Sequence, residues 1–374
     1  AVGTQAGKLM TTGIENTLIG ALAGDAITIG NYNTALGLRS LSENINGDFN
    51  TAIGYKALED YDDGDGNGHN TAVGSKSQFN ATTGEFNTSL GSLSMGVGVT
   101  TGDYNVALGY KAGEYITSGT QNTIIGSFAG DALTTGSSNI AIGYGAMSTA
   151  NGTESRNVAI GQFALFSMDA DGNNYNTAVG YSAGNGMTTG SQNTIVGGLA
   201  GGALTEGNNN VALGYLALSA ETLGDRNVAI GNSALGVQNN TSDVDSYNVA
   251  VGHTAGAAVT TGVRNVLVGS LAGKALQTAN YNVAIGHDAL KTNIDGDNNT
   301  ALGYKALEDY EADADGHGSN TAIGANAMLN ATTGTANTAL GAEAMGSGVT
   351  TGNHNTALGY KAGEDLVNGH SNVL

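Results

Sequence analysis

The chain contains no cysteine, no proline and no tryptophan, and it has only 12 Lys and Arg against 32 Asp and Glu. Without cysteine, disulfides contribute nothing to stability and a thiol nucleophile is excluded, while the redox compartment leaves no mark on the sequence. Without proline, the 61 glycines among 374 residues belong neither to collagen nor to an ordinary disordered linker. No apolar run approaches the roughly 20 residues that a membrane-spanning helix needs. The N-terminus has no basic stretch followed by an apolar core, so no signal peptide is visible. A formal net charge of −20 leaves no basic stripe to displace counterions from phosphates, which argues against nucleic acid as a partner. The acids read first as a solvated, self-repelling surface and second as one suited to bound cations or a salty medium.

What is present is one motif, Asn-(Thr/Val/Ile)-x-(Ile/Leu/Val)-Gly, recurring from Asn16 to Asn355 with a truncated copy at Asn372. The spacings are mostly 17 or 18 residues and never exceed 21. Such tandem repetition is the signature of a solenoid, in which each unit buries its apolar face only against its neighbours. No composition shift or linker marks a boundary, so residues 1–374 are expected to form a single array. Ala1-Val2-Gly3 matches the inside of a unit and Val373-Leu374 stops within one. The expectation is therefore a fragment of a longer chain whose other parts carry a secretion signal, an anchor or a tip.

With the Asn numbered position 0, positions 1 and 3 are aliphatic or Thr, position 2 is usually Ala, position 4 is Gly and position 7 is Ala or Ser. Period-two alternation with β-branched residues predicts a short strand that ends at the glycine. Recurrent Gly and Asn leave no stretch long enough for a stable helix. A second extended segment is expected over positions 6 to 8, as in Lys56-Ala57-Leu58, followed by a loop that often reads Thr-Thr-Gly. Stacked in register about 4.8 Å apart, equivalent strands pair in parallel, and about 21 coils of 17–21 residues give a length of roughly 100 Å. On this reading the side chains at positions 1 and 3 fill the interior, and the small residues at 2 and 7 form smooth columns that let another surface approach. The Asn column reads as a ladder of side-chain amides that bond to neighbouring rungs or cap the turn; recognition by an exposed Asn row is the alternative. Position 2 is large at Leu18, Ile124, Ile195, Leu267 and Leu374, with an echo every four units that duplication would explain.

The sequence Asn-Thr-Ala-Leu-Gly-Tyr-Lys-Ala, nearly intact from Asn50 to Gly54 and beyond, and again at Asn105–Gly109, Asn299–Gly303 and Asn355–Gly359, resembles the head repeats of trimeric autotransporter adhesins. It is closer still to the repeat arrays of tail-fibre-type proteins of phages and bacterial surfaces. The resemblance implies a left-handed parallel β-roll, a homotrimer, and adhesion to a host surface or extracellular matrix. It implies core positions for Val106, Leu108, Val158 and Ile160, and turn-shaping roles for the Asn and Gly of each unit. The adhesin unit is nearer 14 residues, so the loop here is longer, and no coiled-coil stalk or membrane anchor accompanies it.

Candidate chemistry is sparse. Asp62-Asp63-Gly64-Asp65-Gly66-Asn67-Gly68 holds the opening half of an EF-hand loop, with oxygens at alternate positions for Ca²⁺ at Asp63, Asp65 and Asn67, but the closing Glu is absent. The competing reading is a hydrophilic surface turn. Asp169–Asn173 and Asp313–Gly316 are weaker versions. Seven tyrosines follow the unit glycine (Tyr55, Tyr110, Tyr144, Tyr181, Tyr215, Tyr304 and Tyr360); packing on a neighbour is favoured over stacking on sugars. Residues particular to one loop, Phe163, Phe166 and Met168, or Phe79 and Phe86, are better recognition candidates. His69 and His317 occupy equivalent acidic loops, without zinc spacing. The pairs Glu59-Asp60 and Glu308-Asp309 imply no cleft.

The expected function is a non-catalytic, extracellular structural or adhesive fibre. It would act as a homotrimer that contacts a host-surface glycan or protein receptor multivalently, with calcium as a conceivable cofactor and no membrane insertion in this segment. The alternatives are an ice-binding solenoid, set aside because its Thr column would have to point outward, and a carbohydrate-active enzyme on a β-roll, which needs converging acids.

Overall fold

A computed structural model describes residues 1–62, 64, 67–149, 152–240, 242–311 and 317–374. The chain is an all-β parallel β-solenoid. It divides into two compact units, residues Ala1–Thr189 and Gly190–Leu374. Each unit contains ten three-residue strands, running from Thr17–Ile19 to Thr177–Val179 in the first and from Thr194–Val196 to Thr356–Leu358 in the second. Successive strands pair in parallel and in strict register, Thr34 opposite Thr51 and Val228 opposite Val249. Among the described residues the only further strands are Glu154–Ser155 and Gly172–Asn173, which pair with each other where a longer loop extends the ladder.

The faces of the strand are the reverse of the expectation. Position 2 is buried in every three-residue strand, and positions 1 and 3 are partly or largely exposed. Val106 and Leu108 are 38% and 39% exposed, Ile160 37%, and Val158 is half-buried. They are not core. The small residues at 2 and 7, such as Ala52 and Ala57, point inward instead. The expected extended segment over positions 6 to 8 is also absent, because Lys56 (φ 56°) and Leu58 (φ 52°) lie in the left-handed region. Each non-glycine residue there costs roughly 1–2 kcal/mol. The cost is offset because the turn is itself laddered: Lys56 N donates to Leu38 O (2.9 Å) and Leu58 N to Ser77 O (3.0 Å). The turn folds the chain back tightly, so the interior of the Asn50 rung holds Ala at position 2, one larger side chain from the turn, Leu58 at position 8, and Tyr61 from the loop after it.

The larger side chain from the turn explains the four-unit echo. Where position 2 is Ala, position 8 is commonly a buried Leu or Met, such as Leu58, Met147, Leu218 or Leu290. Where position 2 is Leu or Ile, position 8 is Gly both in that rung and in the preceding one. A Cβ on Gly256 or Gly273 would lie 2.7 or 2.6 Å from the Leu267 side chain, and one on Gly24 2.8 Å from Leu18. In these rungs position 11 supplies a buried aliphatic, Ile27, Ile116, Leu133, Val259 or Leu276. Volume is thus conserved while its source moves round the coil, as close packing requires.

The unit glycine has two physical reasons. Gly54 has φ 135°, and a Cβ there would sit 2.5 Å from the Gly74 carbonyl oxygen of the next rung; Gly303 (φ 143°) meets Gly324 in the same way.

Candidate interaction surface

Two polar ladders run inside the coil and consume the polar groups that repeat most often. Every rung Asn from Asn33 to Asn355 is buried. The Asn33 backbone N donates to Asn16 Oδ1 (2.9 Å), and its Nδ2 donates to the Gly47 carbonyl (2.8 Å). Asn105 repeats this with Asn87 and Gly119, and Asn355 with Asn337 and Gly369; Asn299 keeps the backbone bond to Asn282 Oδ1 (2.8 Å), but its Nδ2 turns back to Asn282 Oδ1 (3.1 Å) and to the carbonyl of Gly296, three residues before it (3.3 Å). Asn50 keeps the bond to Asn33 Oδ1 (2.9 Å), but its Nδ2 finds no acceptor among the described residues. A second ladder escaped the sequence reading. Two residues before the Asn, a short acid, amide or hydroxyl accepts from the backbone N–H of the rung before: Asn31 N to Asp48 Oδ1 (2.6 Å), Asn208 N to Asp225 Oδ1 (2.6 Å), Asn280 N to Asp297 Oδ1 (2.7 Å). The signal was legible as recurrent Asp, Asn or Ser at that place.

The carboxylates are likewise committed. Glu59 is 4% exposed and binds Lys56 (2.9 Å) and Arg39 (3.0 Å); Glu308 binds Lys305 (2.9 Å) and Lys291 (3.2 Å). The hydrogen bond to Glu308 holds the Lys305 amine above its usual range, as Glu114 does for Lys111. Glu221, fully buried, accepts from the backbone N of Thr222, Leu223, Gly224 and Asn240 and from the side chains of Gln238 and Asn240. These acids shape loops. Asp63 and Asp65 of the EF-hand-like loop lie outside the described residues, as do residues 313–316; Asn67 is exposed, and its carbonyl accepts from Tyr61 (3.2 Å). Among the described residues no three His, Cys, Asp or Glu side chains cluster as metal ligands, and no helix is long and apolar enough to cross a membrane.

What remains for partners is the outer surface, organised in columns. Column 1 is Thr at residues 17, 34, 51, 71 and 88 of the first unit, and Val at 211, 228, 249, 266 and 283 of the second. Column 3 is Ile, Leu or Val throughout. The residue before each Asn, at φ near 58°, forms another column. In the first unit Tyr32, Phe49, His69, Phe86 and Tyr104 stack face to face, with ring centroids 4.7–5.1 Å apart. In the second unit Arg226, Tyr247, Arg264 and Tyr281 alternate with guanidinium-to-ring distances of 5.6–6.0 Å.

Of the seven repeat tyrosines, Tyr110 and Tyr144 pack edge-on against Phe128, and Tyr144 also against Phe163, while all seven stay at least 44% exposed. Phe163 and Phe166 form an edge contact with each other, and Met168 is fully buried, so it offers nothing to a partner. Phe79 lies beneath Lys56 and Lys76, and Phe86 belongs to the stacked column. His317 lines a shallow depression with Gly318, Ser319, Thr335 and Ala336. No family model and no curated protein matches the chain.

Proposed function

We propose that the chain is a segment of a non-catalytic extracellular fibre, a phage tail fibre or a bacterial surface adhesin, that self-associates as a homotrimer through the face formed by columns 1 and 3. One observation carries this reading: the aliphatic side chains of column 3 remain partly or largely exposed in unbroken register, rung after rung, on a parallel sheet. Across ten strands at about 4.8 Å each, with the two columns about 7 Å apart, the strip in one unit is of the order of 300 Å² before side-chain width is added. Its aliphatic part, column 3 with the Val and Ile positions of column 1, continues from rung to rung, whereas ordinary monomers scatter exposed apolar residues singly. A second copy presents the same columns at the same spacing, so like surfaces match. The small-residue columns no longer support this association, because they face inward; the aliphatic columns take their place. The laddered interior gives the stiffness a fibre needs, and the lateral columns then lie along its sides, where a host-surface glycan or protein can be contacted many times over.

The test is the mass in solution by light scattering. A trimer of the 37.2 kDa chain is expected, reduced to monomer by Val228→Lys with Val249→Lys. A monomeric wild-type chain overturns the reading.

A second reading is favoured by the outward Thr column of the first unit. Thr17, Thr34, Thr51, Thr71 and Thr88 stand in register, the orientation that ice binding requires. The objection that this column fills the interior falls away; the objection that Thr and Val interchange along the column stands, with Val106, Ile140 and Val158 interrupting it in the first unit and five Val beside five Thr in the second. Thermal hysteresis of a monomeric chain, abolished by Thr51→Tyr, supports it, and hysteresis indistinguishable from buffer removes it.

A further inference from the structure

The chain has four arginines, and three of them, Arg156, Arg226 and Arg264, occupy the left-handed position just before a rung Asn. Each is followed one rung later, at the same position, by a tyrosine: Tyr175, Tyr247 and Tyr281. All three arginines are exposed, and each guanidinium lies 5.5–5.6 Å from the ring of its following tyrosine. Arg264 is held on both sides, with Tyr247 at 6.0 Å and Tyr281 at 5.6 Å. Two rings fix the plane of the guanidinium and shield its faces, which leaves its edge of N–H donors as the available surface. One donor reaches Tyr281 Oη at 3.2 Å. A guanidinium carries five N–H donors in a fork that matches a carboxylate or sulfate.

The neighbouring rung shows what that edge takes. Arg226 is ion-paired with Asp245 of its own chain, two residues before Tyr247. Two residues before Tyr281 the chain has Ala279, and two before Tyr175 it has Asn173. Among the described residues neither Arg264 nor Arg156 has a carboxylate partner. The same Arg–Tyr arrangement therefore occurs once with its anion supplied internally and twice with the anion position open. In a chain of net charge −20, arginines held against rings and without a carboxylate partner among the described residues stand out against a background that repels anions. Tyr rings beside the guanidinium add apolar faces on which a sugar ring can stack.

We propose that Arg264, clamped by Tyr247 and Tyr281, binds the carboxylate or sulfate group of an acidic glycan, and that Arg156 with Tyr175 is a second, weaker copy of the site. This rests on the adhesive reading above and gives it a receptor class.

The test uses the full chain, titrated by calorimetry with oligogalacturonate, a sulfated oligosaccharide and a neutral malto-oligosaccharide of equal length. Binding of one or both acidic probes, with the neutral probe at least about tenfold weaker, is expected. Arg264→Gln should weaken it about tenfold, and Arg264→Lys, which keeps the charge but loses the planar fork, by about half that factor on a logarithmic scale. Arg226→Gln, whose partner is already internal, should change affinity less than twofold. Acidic probes binding no tighter than about 1 mM, equal binding of the neutral probe, or undiminished binding by Arg264→Gln overturns the proposal. Light scattering on the same samples separates the two readings: a trimer that ignores acidic glycans removes only this site, whereas a monomer that binds them removes only the self-association.

Discussion

The Thr17–Leu90 rungs of the first unit and the Val211–Ile285 rungs of the second share a backbone and differ in their outer columns. Their interiors obey one rule: Ala or a larger residue at position 2, balanced by what position 8 supplies. Their Asn ladders have the same bonds at the same lengths, 2.9 Å for Asn33 to Asn16 and 2.9 Å for Asn227 to Asn210. Yet column 1 is Thr in one and Val in the other, and the column before the Asn is a stack of aromatic rings in one and an Arg–Tyr alternation in the other. The inward positions are fixed by a coil too narrow to accept substitutions one at a time. The outward positions carry no such constraint, so the two regions are free to differ there, and that is where partner recognition is to be sought.

The largest expected effects come from the interior and should be alike in both regions. Leu267→Ala leaves a cavity between Gly256 and Gly273 and should cost about 2–5 kcal/mol by denaturant unfolding. Ala52→Leu drives a side chain against Leu58 and against Leu41 of the preceding rung and should cost about 1–3 kcal/mol, whereas Ala52→Leu combined with Leu41→Gly and Leu58→Gly should recover most of it. If the triple variant is no better than the single one, the volume-compensation rule is wrong and the two core types are not interchangeable.

Next come the ladders. Asn227→Ala removes the acceptor for Asn248 N and Asn248's own rung loses continuity, so a buried donor is stranded at about 1–3 kcal/mol. Asn50→Ala strands Asn70 N in the same way but should cost less, because its Nδ2 has no partner among the described residues to lose. Equal losses at the two sites would mean that the Asn227 Nδ2 bond to Asn210 Oδ1 (3.1 Å) contributes nothing measurable.

The repeat, the parallel register and the absence of helices were legible in the sequence because period and spacing report them directly. Which face of the strand is buried was not. Alternation distinguishes two faces without saying which one meets the core, and the inference that Val106 and Leu108 lie inside followed only from their being more apolar than Ala107. The evidence against it was present in the exchange between positions 2 and 8, Leu267 with Gly273 against Ala284 with Leu290, which makes sense only if both positions share one interior. The turn at Lys56–Leu58 was missed because left-handed Lys and Leu are individually unfavourable, and only the neighbouring rungs' carbonyls make them tolerable. The acidic loop at Asp63 and Asp65 was singled out by local spacing alone, with nothing in the rest of the unit to support or oppose it. The Arg–Tyr column was overlooked because its members are 17 to 21 residues apart, adjacent only once the register is known.

The smallest effects should distinguish the two outer columns most clearly. Phe86→Ala breaks a stack in which its ring faces His69 at 4.9 Å and Tyr104 at 5.1 Å, and should cost about 0.5–1.5 kcal/mol with little response to salt, since ring stacking is not a charge interaction. Tyr247→Ala removes the ring shared by Arg226 and Arg264 and should cost about 0.5–1 kcal/mol at such an exposed site. Part of that loss should shrink between low salt and 1 M salt, where the Debye length falls to about 3 Å, because Tyr247 also orders the Arg226–Asp245 pair by holding its guanidinium plane. A salt response of Phe86→Ala equal to that of Tyr247→Ala would show that the two columns are held together by the same force, and the case for treating the arginine column as a separate recognition surface would weaken accordingly.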